Sequence, residues 1–235
     1  MTDPISIAEA AGLLALSTAR VRAMVSQGQL PAVKVGGRWL VERGAVEQRR
    51  RGEAPRGRRF TPRNAWALLL LASGEDAPKL DPSVRSRLRR ALALEDLAAL
   101  APRLRDRSSV SNYKAHPGEI PYVLEDDALV HSGISAAGSM GLGLLASREV
   151  DGYVAQSQLP RFIAKHALSS GGIEGNVRLR AVPDDAWHEL DGRSVAPAAA
   201  VALDLADEPD SRSRTAGKKL IRQIDRRHRA RAKGR

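Results

Sequence analysis

The chain has 235 residues, a net charge of +11 and a sequence pI near 10.7. It contains no cysteine, which excludes a disulfide framework, a thiolate metal site and a cysteine nucleophile. No run approaches the roughly 18 apolar residues of a membrane span, and the N-terminus lacks an apolar signal core, so a cytoplasmic protein without membrane association is expected. The length suits two or three small domains.

Charge is distributed unevenly. Residues 1–63 hold 12 Lys and Arg against 5 Asp and Glu, and residues 211–235 hold 11 against 1, whereas residues 64–210 carry a net −6. Basic ends favour phosphate and give salt-sensitive affinity. The acidic middle is free to meet a different partner.

The first fifty residues read as a helix-turn-helix followed by a hairpin. Ser6 and Glu9 form a capping-box pattern ahead of Ile7, Ala10, Ala11 and Leu14, which recur at helical spacing. Residues 12–16 are short enough for a sharp turn. Ser17 is a second N-cap, opening a helix over 18–27 with Val21, Met24 and Val25 on one face. Gly28 is placed to end it. Val33-Lys34-Val35 and Trp39-Leu40-Val41 alternate around Gly36-Gly37, which suits a two-residue hairpin turn. Arg38 at the tip makes this a basic wing beside a reading helix.

This stretch resembles the excisionase/MerR-type winged helix-turn-helix. The resemblance is carried by the small-residue first helix, Ser17, Gln27-Gly28-Gln29-Leu30-Pro31-Ala32, the Val-Gly-Gly-Arg-Trp wing and the acidic residue that follows. It implies that the helix from Ser17 lies in the major groove and that Arg38 belongs to the wing. Arg20 and Arg22 remain open between base reading, phosphate clamping and surface charge.

A basic, breaker-rich linker follows, beginning at Arg49 and centred on residues 52–59. Pro62 starts a helix containing Trp66, Leu69 and Leu70, stopped by Gly74. Asp81-Pro82 begins another, with Val84, Leu88, Ala91 and Leu92 on one face. A third runs over 95–104.

The region 109–208 mixes strands and helices. Residues 122–124, Val130, 150–154 and 176–182 read as strands, the last alternating Val177, Leu179 and Ala181 with Arg178 and Arg180. Residues 132–139 suit a tight turn into a closely packed helix. Residues 158–168 form an amphipathic helix and 195–206 an Ala-rich one. The tail has Leu220, Ile221 and Ile224 among many cations. Its first part is expected to be helical, and its end to order only on meeting an anion.

In order, the pieces SNYKAHPG, LVHSGISAAGSMGLG, EVDGYV, GNVRLRAVPDDAW and VAPAAAVALDLADEPDSRSRTAGKKLI resemble the C-terminal region of AbiEi-family antitoxins of actinobacteria. That resemblance implies an operon repressor that binds promoter inverted repeats and counteracts a nucleotidyltransferase-like toxin, directly or indirectly. The front end departs from the usual AbiEi plan, in which the family's own winged-helix domain stands where this chain has the excisionase-like module.

Enzymatic signatures are lacking: there is no P-loop, H-E-x-x-H or G-x-S-x-G. Gly138-Ser139 followed by Asp151 is the best candidate, in the manner of nucleotidyltransferases, but the second metal-binding carboxylate is missing. Asp126-Asp127 and Asp184-Asp185 read as turns, and His116, His131, His166, His188 and His228 show no metal spacing. No enzyme activity, cofactor or metal is expected.

The expected fold class is α+β and mostly helical. A winged helix-turn-helix (1–51) leads through a linker (52–59) to a helical unit (60–108), a mixed α/β domain (109–210) and a basic tail (211–235). The expected partner is operator duplex DNA, with oligomeric state open and monomers binding cooperatively to repeats as one arrangement. Candidate contacts are Ser17, Thr18, Ala19, Arg20, Arg22 and Ser26 on the reading helix and Lys34 and Arg38 on the wing. Arg49 and Arg50 follow at the linker, and Lys218, Lys219, Arg226 and Arg227 in the tail. The alternative is a ligand-sensing transcriptional regulator without a toxin partner.

Overall fold

The computed structural model describes residues 4–26, 30–35, 37–50, 58–77, 80–144, 148–171, 175–208 and 210–233. The chain divides into two compact units, Met1–Arg56 and Gly57–Arg235. The fold is α+β, as the sequence predicts.

In the first unit β1 (Pro4–Ser6) leads into α1 (Ile7–Leu14), then α2 (Thr18–Ser26), β2 (Ala32–Val35), β3 (Arg38–Glu42) and α3 (Arg43–Arg50). The strands form an antiparallel sheet in the order β1-β3-β2. Ser6 caps α1 by accepting from the Glu9 amide at 3.1 Å. The reciprocal half of the capping box gives way to a tertiary contact, because the Glu9 carboxylate takes the Arg43 guanidinium of α3 at 2.6 Å. The turn between the helices also starts later than the glycine suggests. Gly12 stays helical and Ala15 adopts the left-handed conformation instead, at φ 53°. Ile5, Ala10, Ala11, Val21, Met24, Val25, Leu30, Val41 and Val46 make one small aliphatic core. Val46 draws α3 into it, so Arg49 and Arg50, expected at the start of a tether, end a packed helix. Gly28 and Gly36, like residues 51–57 of the linker, lie outside the described residues.

The second unit begins with α4 (Pro62–Ser73), α5 (Pro82–Leu94) and α6 (Leu97–Leu100), the last running into a 3-10 segment, Ala101–Arg107. Thr61 caps α4 and Gly74 ends it at φ 84°, while Asp81 caps α5. The helix expected over 95–104 is thus split, with Pro102 denying the α ladder an N–H and the chain tightening into 3-10 turns.

A mixed sheet follows, built from β4 (Ser109–Lys114), β5 (Val130–His131), β6 (Val150–Ala155), β7 (Ser169–Ser170) and β8 (Val177–Val182) in the order β5-β6-β8-β4-β7. The central pair β6 and β8 is parallel, and the other pairs are antiparallel. The helices among these strands are α7 (Ile120–Leu124), α8 (Gly133–Ala137), α9 (Leu159–Lys165), α10 (Asp184–Trp187), α11 (Ala198–Ala206) and α12 (Ser211–Lys233). Residues 122–124, read as a strand, are helical: Pro121 supplies a helix-compatible φ in the first turn after the 3-10 segment Pro117–Glu119. Strand β4 was not foreseen, because five of its six residues are exposed and carry no burial alternation.

Both faces of the sheet are covered. Val150, Val154, Val177 and Leu179 pack with Ile120, Val123, Phe162 and Leu168 in one cluster. Tyr153 and Val182 pack on the other side with α4, α11 and α12 in a larger one. That larger cluster also includes Leu88, Leu97, Leu100 and Leu104, so the helical unit expected over 60–108 and the domain expected over 109–210 form one body.

The basic tail is corrected in the same way. It is a 23-residue helix, α12, whose Leu220, Ile221 and Ile224 are buried in the same core. Burying each is worth roughly 1.5–3 kcal/mol, enough to hold the helix down without an anion. A Cβ at Gly217 would lie 2.4 Å from the Ala206 amide nitrogen and 2.7 Å from the Ala202 carbonyl oxygen. The Ala-rich α11 and a glycine on α12 thus let the two backbones meet.

Candidate nucleic-acid interface

The helix expected to read DNA, α2, is held from its buried side. Val21, Met24 and Val25 of α2 are buried in the first unit's core. The Ser17 hydroxyl accepts from the Arg20 amide at 3.2 Å, and the Val21 amide bonds the Ser17 carbonyl, so Ser17 is the N-cap. This presents Ser17, Thr18, Ala19, Arg20 and Arg22 on the outside, all exposed. Helix N-termini carry unpaired amides and a positive dipole end, both suited to phosphate. Arg22 lies one turn in, where side chains of a reading helix reach base edges. Ser26 ends the helix, and its side chain lies outside the described residues.

The wing is a hairpin in which Lys34 pairs with Trp39 and Val35 with Arg38. Lys34 and Arg38 are exposed. Two hairpin residues that were not among the expected contacts stand beside them: Val35 is 57 % exposed and Trp39 41 %. Exposing an indole at a hairpin tip sacrifices burial, and a contact with sugar or a groove wall would recover it. The signal was legible as a Trp one residue from the tip Arg, in a hairpin too short to have its own core. Arg49 on α3 is exposed, and the Arg50 side chain is outside the described residues.

The remaining candidates lie on α12. Lys218, Lys219 and Arg226 are exposed. Arg227, also exposed, instead lines a cavity with Ser73, Met140, Leu220 and Gln223.

Asp151, the candidate metal ligand, belongs to a buried polar network in the second unit. It is 2 % exposed and is ion-paired with Arg180. Arg180 Nε also reaches Asp204 Oδ1 at 3.2 Å. Asp204 is the hub: it receives Arg107 Nη2 at 2.7 Å, the Tyr153 hydroxyl at 2.7 Å and a short bond from the Ser132 hydroxyl. Burial pushes the Asp204 carboxyl up, but Arg180 and Arg107, with the two hydroxyls, hold it below the usual carboxylate range. Burial raises Tyr153 well above its ordinary value, so the phenol stays neutral and donates. The Trp66 indole stands edge-on to the Tyr153 ring at 4.8 Å and donates to the Arg107 carbonyl at 3.1 Å. A Cβ at Gly133 would lie 2.1 Å from Asp151 Oδ2, so the carboxylate needs glycine there.

Arg180 reached this network by ordinary strand alternation. Arg178, Arg180 and Val182 share one face of β8, and that face lies under α11 rather than in solvent.

The two acidic pairs differ: Asp126-Asp127 lies outside helix and strand, as expected of a turn, whereas Asp184-Asp185, also expected as a turn, opens α10. Asp126 accepts from Lys165 at 2.6 Å, from the Ala128 amide at 2.9 Å and lies 2.8 Å from His166 Nε2. Burial opposes ionisation there, but these donors draw its pKa down to about 2. Asp184 accepts from the Ser157 hydroxyl at 2.7 Å. Among the described residues no three His, Asp or Glu side chains are grouped to hold a metal ion, and no helix is long and apolar enough to cross a membrane.

A family model described as a helix-turn-helix domain matches residues 5–53. No curated protein and no solved structure matches the chain. The match spans the described first unit from β1 to α3, and residues 5–53 are a helix-turn-helix DNA-binding element.

Proposed function

We propose that the protein is a sequence-specific, DNA-binding repressor of its own operon. On this reading it also counteracts a nucleotidyltransferase-like toxin, and it is a binding protein without catalysis of its own. The observation that carries the DNA half is the exposed outer side of α2, with Thr18, Arg20 and Arg22, in the same small unit as a wing bearing Lys34, Arg38 and Trp39. The antitoxin half is supported by the resemblance of residues 109–210 to the C-terminal region of AbiEi-family antitoxins.

The test is binding to the protein's own promoter against scrambled duplex at two salt concentrations. A promoter preference that survives the higher salt is expected. Arg22→Ala should reduce promoter affinity by about 1–3 kcal/mol, roughly fivefold to a hundredfold, with little change on scrambled DNA. Equal loss on both sequences would make Arg22 a phosphate contact, and no preference in the wild type would end the operator reading. Co-expression with a toxin-like gene from the same operon tests the second half, with restored growth as the expected result.

A ligand-sensing regulator is the second reading. It is favoured by the cavity of about 280 Å³ in the second unit, lined by Ser73, Met140, Leu142, Gln223 and Arg227 among others. That volume lies at the lower edge of small-molecule sites.

A further inference from the structure

We infer that the outer face of α12 is a preformed, sequence-independent binding surface for the backbone of duplex DNA. It would give the second unit a DNA contact of its own. The inference rests on the DNA-binding reading for the identity of the partner, and on the packing of α12 for the surface itself.

The helix has two sides of opposite character. Gly217, Leu220, Ile221 and Ile224 are buried against the body. At 100° per residue, Arg222, Arg226 and Lys219 fall on the opposite side, with Lys218 at its flank. The one acid between Ser211 and Lys233, Asp225, is turned inward, where it accepts from the Leu97 amide at 2.9 Å. It therefore does not neutralise the outer face. Arg229 is held by Asp96. Lys218, Lys219 and Arg222 are exposed and meet no carboxylate among the described residues, and Arg226 spends one N–H on the Arg222 carbonyl. From Lys218 to Arg226 these four cations cover about 12 Å of helix at 1.5 Å per residue. Phosphates along one DNA strand lie about 3.4 Å apart axially, so such a row can follow several of them.

Other polyanions fit less well. The apolar stripe of α12 is consumed by the core, which leaves none to enter a lipid surface. The helix carries no Phe, Tyr or Trp on which unpaired RNA bases could stack. Duplex DNA needs only regularly spaced charge, and the helix-turn-helix of the same chain brings it close.

The experiment uses the full chain carrying Lys218→Gln, Lys219→Gln, Arg222→Gln and Arg226→Gln together. All four are exposed, and an unchanged melting temperature verifies folding. Binding to 30-base-pair promoter and scrambled duplexes is followed by fluorescence anisotropy from 50 to 300 mM KCl. The expected result is a loss on the order of tenfold or more at low salt, equal on both duplexes, with the salt slope shallower by about 3. An unchanged slope in the folded variant overturns the inference, even where promoter preference persists. A wild type without promoter preference whose slope still falls in the variant supports this surface while ending the operator reading. Tighter binding of a matched single-stranded RNA, abolished by the same substitutions, would overturn duplex DNA in favour of RNA.

Discussion

Arg22 and Arg180 occupy comparable positions in their sequence patterns, each on the polar side of an amphipathic element. In the first unit that side faces out: Arg22 is exposed and the core beneath α2 is purely aliphatic. In the second unit it faces in: Arg180 is 3 % exposed and joins two carboxylates, a second Arg, a Tyr and a Ser. The first unit is a thin layer whose polar surface is available to a partner. The second is a sheet covered on both faces, so its buried charged side chains pair with opposite charges inside it. Periodicity finds the face, but neighbouring layers decide whether that face is a binding surface or an interior.

The sharpest way to break this contrast is to remove the hub. Asp204→Ala leaves Arg107 and Arg180 buried without that counter-ion, and a loss of about 3–5 kcal/mol is expected in the second unit. Urea unfolding followed by Trp66 fluorescence measures it, and promoter binding through the first unit should survive in conditions where the variant remains folded. A loss below about 1 kcal/mol would mean the network is not what holds the layers together.

Next in size is Ile224→Ala on α12. A cost of about 2–4 kcal/mol is expected for a buried aliphatic truncated in a packed helix. A near-neutral result would return α12 to the status of a detachable tail. Truncation before residue 211 should likewise destabilise the second unit rather than merely weaken DNA binding.

A smaller effect comes from acid. Asp126 has a folded pKa of about 2, below its ordinary value of 3.8. Its contribution to stability is therefore complete above about pH 4 and lost as the pH falls toward 2. Comparing urea midpoints between pH 5 and pH 2.5, Asp126→Asn should show less acid loss than the wild type. Identical acid slopes would remove Asp126 from the stabilising contacts of the second unit.

The smallest expected effect is at the turn of the reading element. Ala15 holds φ 53°, a conformation costing a residue with a Cβ roughly 1–2 kcal/mol. Ala15→Gly should stabilise the first unit, by less than about 1 kcal/mol after the added chain entropy of glycine. Thermal melting of the first unit reads this, and a lower melting temperature would show that the turn is not strained.

Much of the first unit was legible in the sequence because its signals are local. Ser6 and Ser17 are caps, Val21, Met24 and Val25 repeat at helical spacing, and Gly36-Gly37 separates two alternating strands. Each depends on neighbours a few residues away, and the structure places the caps, buried face and hairpin strands accordingly. Local signals failed where a distant group competed. Glu9 left its capping box for Arg43, 34 residues on, and β4 is stabilised by β8 with no burial pattern of its own.

By itself, then, the sequence determined an α+β chain with basic ends and a capped second helix beside a basic hairpin. These follow from backbone propensity, side-chain period and charge, which need no knowledge of what lies across the molecule. The tertiary structure decided that Arg180 and Asp151 are interior, that residues 60–108 and 109–210 share one core, and that the basic C-terminal segment is a packed helix. Each depends on which layer covers which face. Covering α12 with α11 requires Gly217 to meet Ala202 and Ala206, and burying Arg180 requires Asp204 to arrive from 24 residues away. Burial and counter-charge are properties of the assembled layers, and they turn one and the same residue type into either an exposed surface cation or a strut of the core.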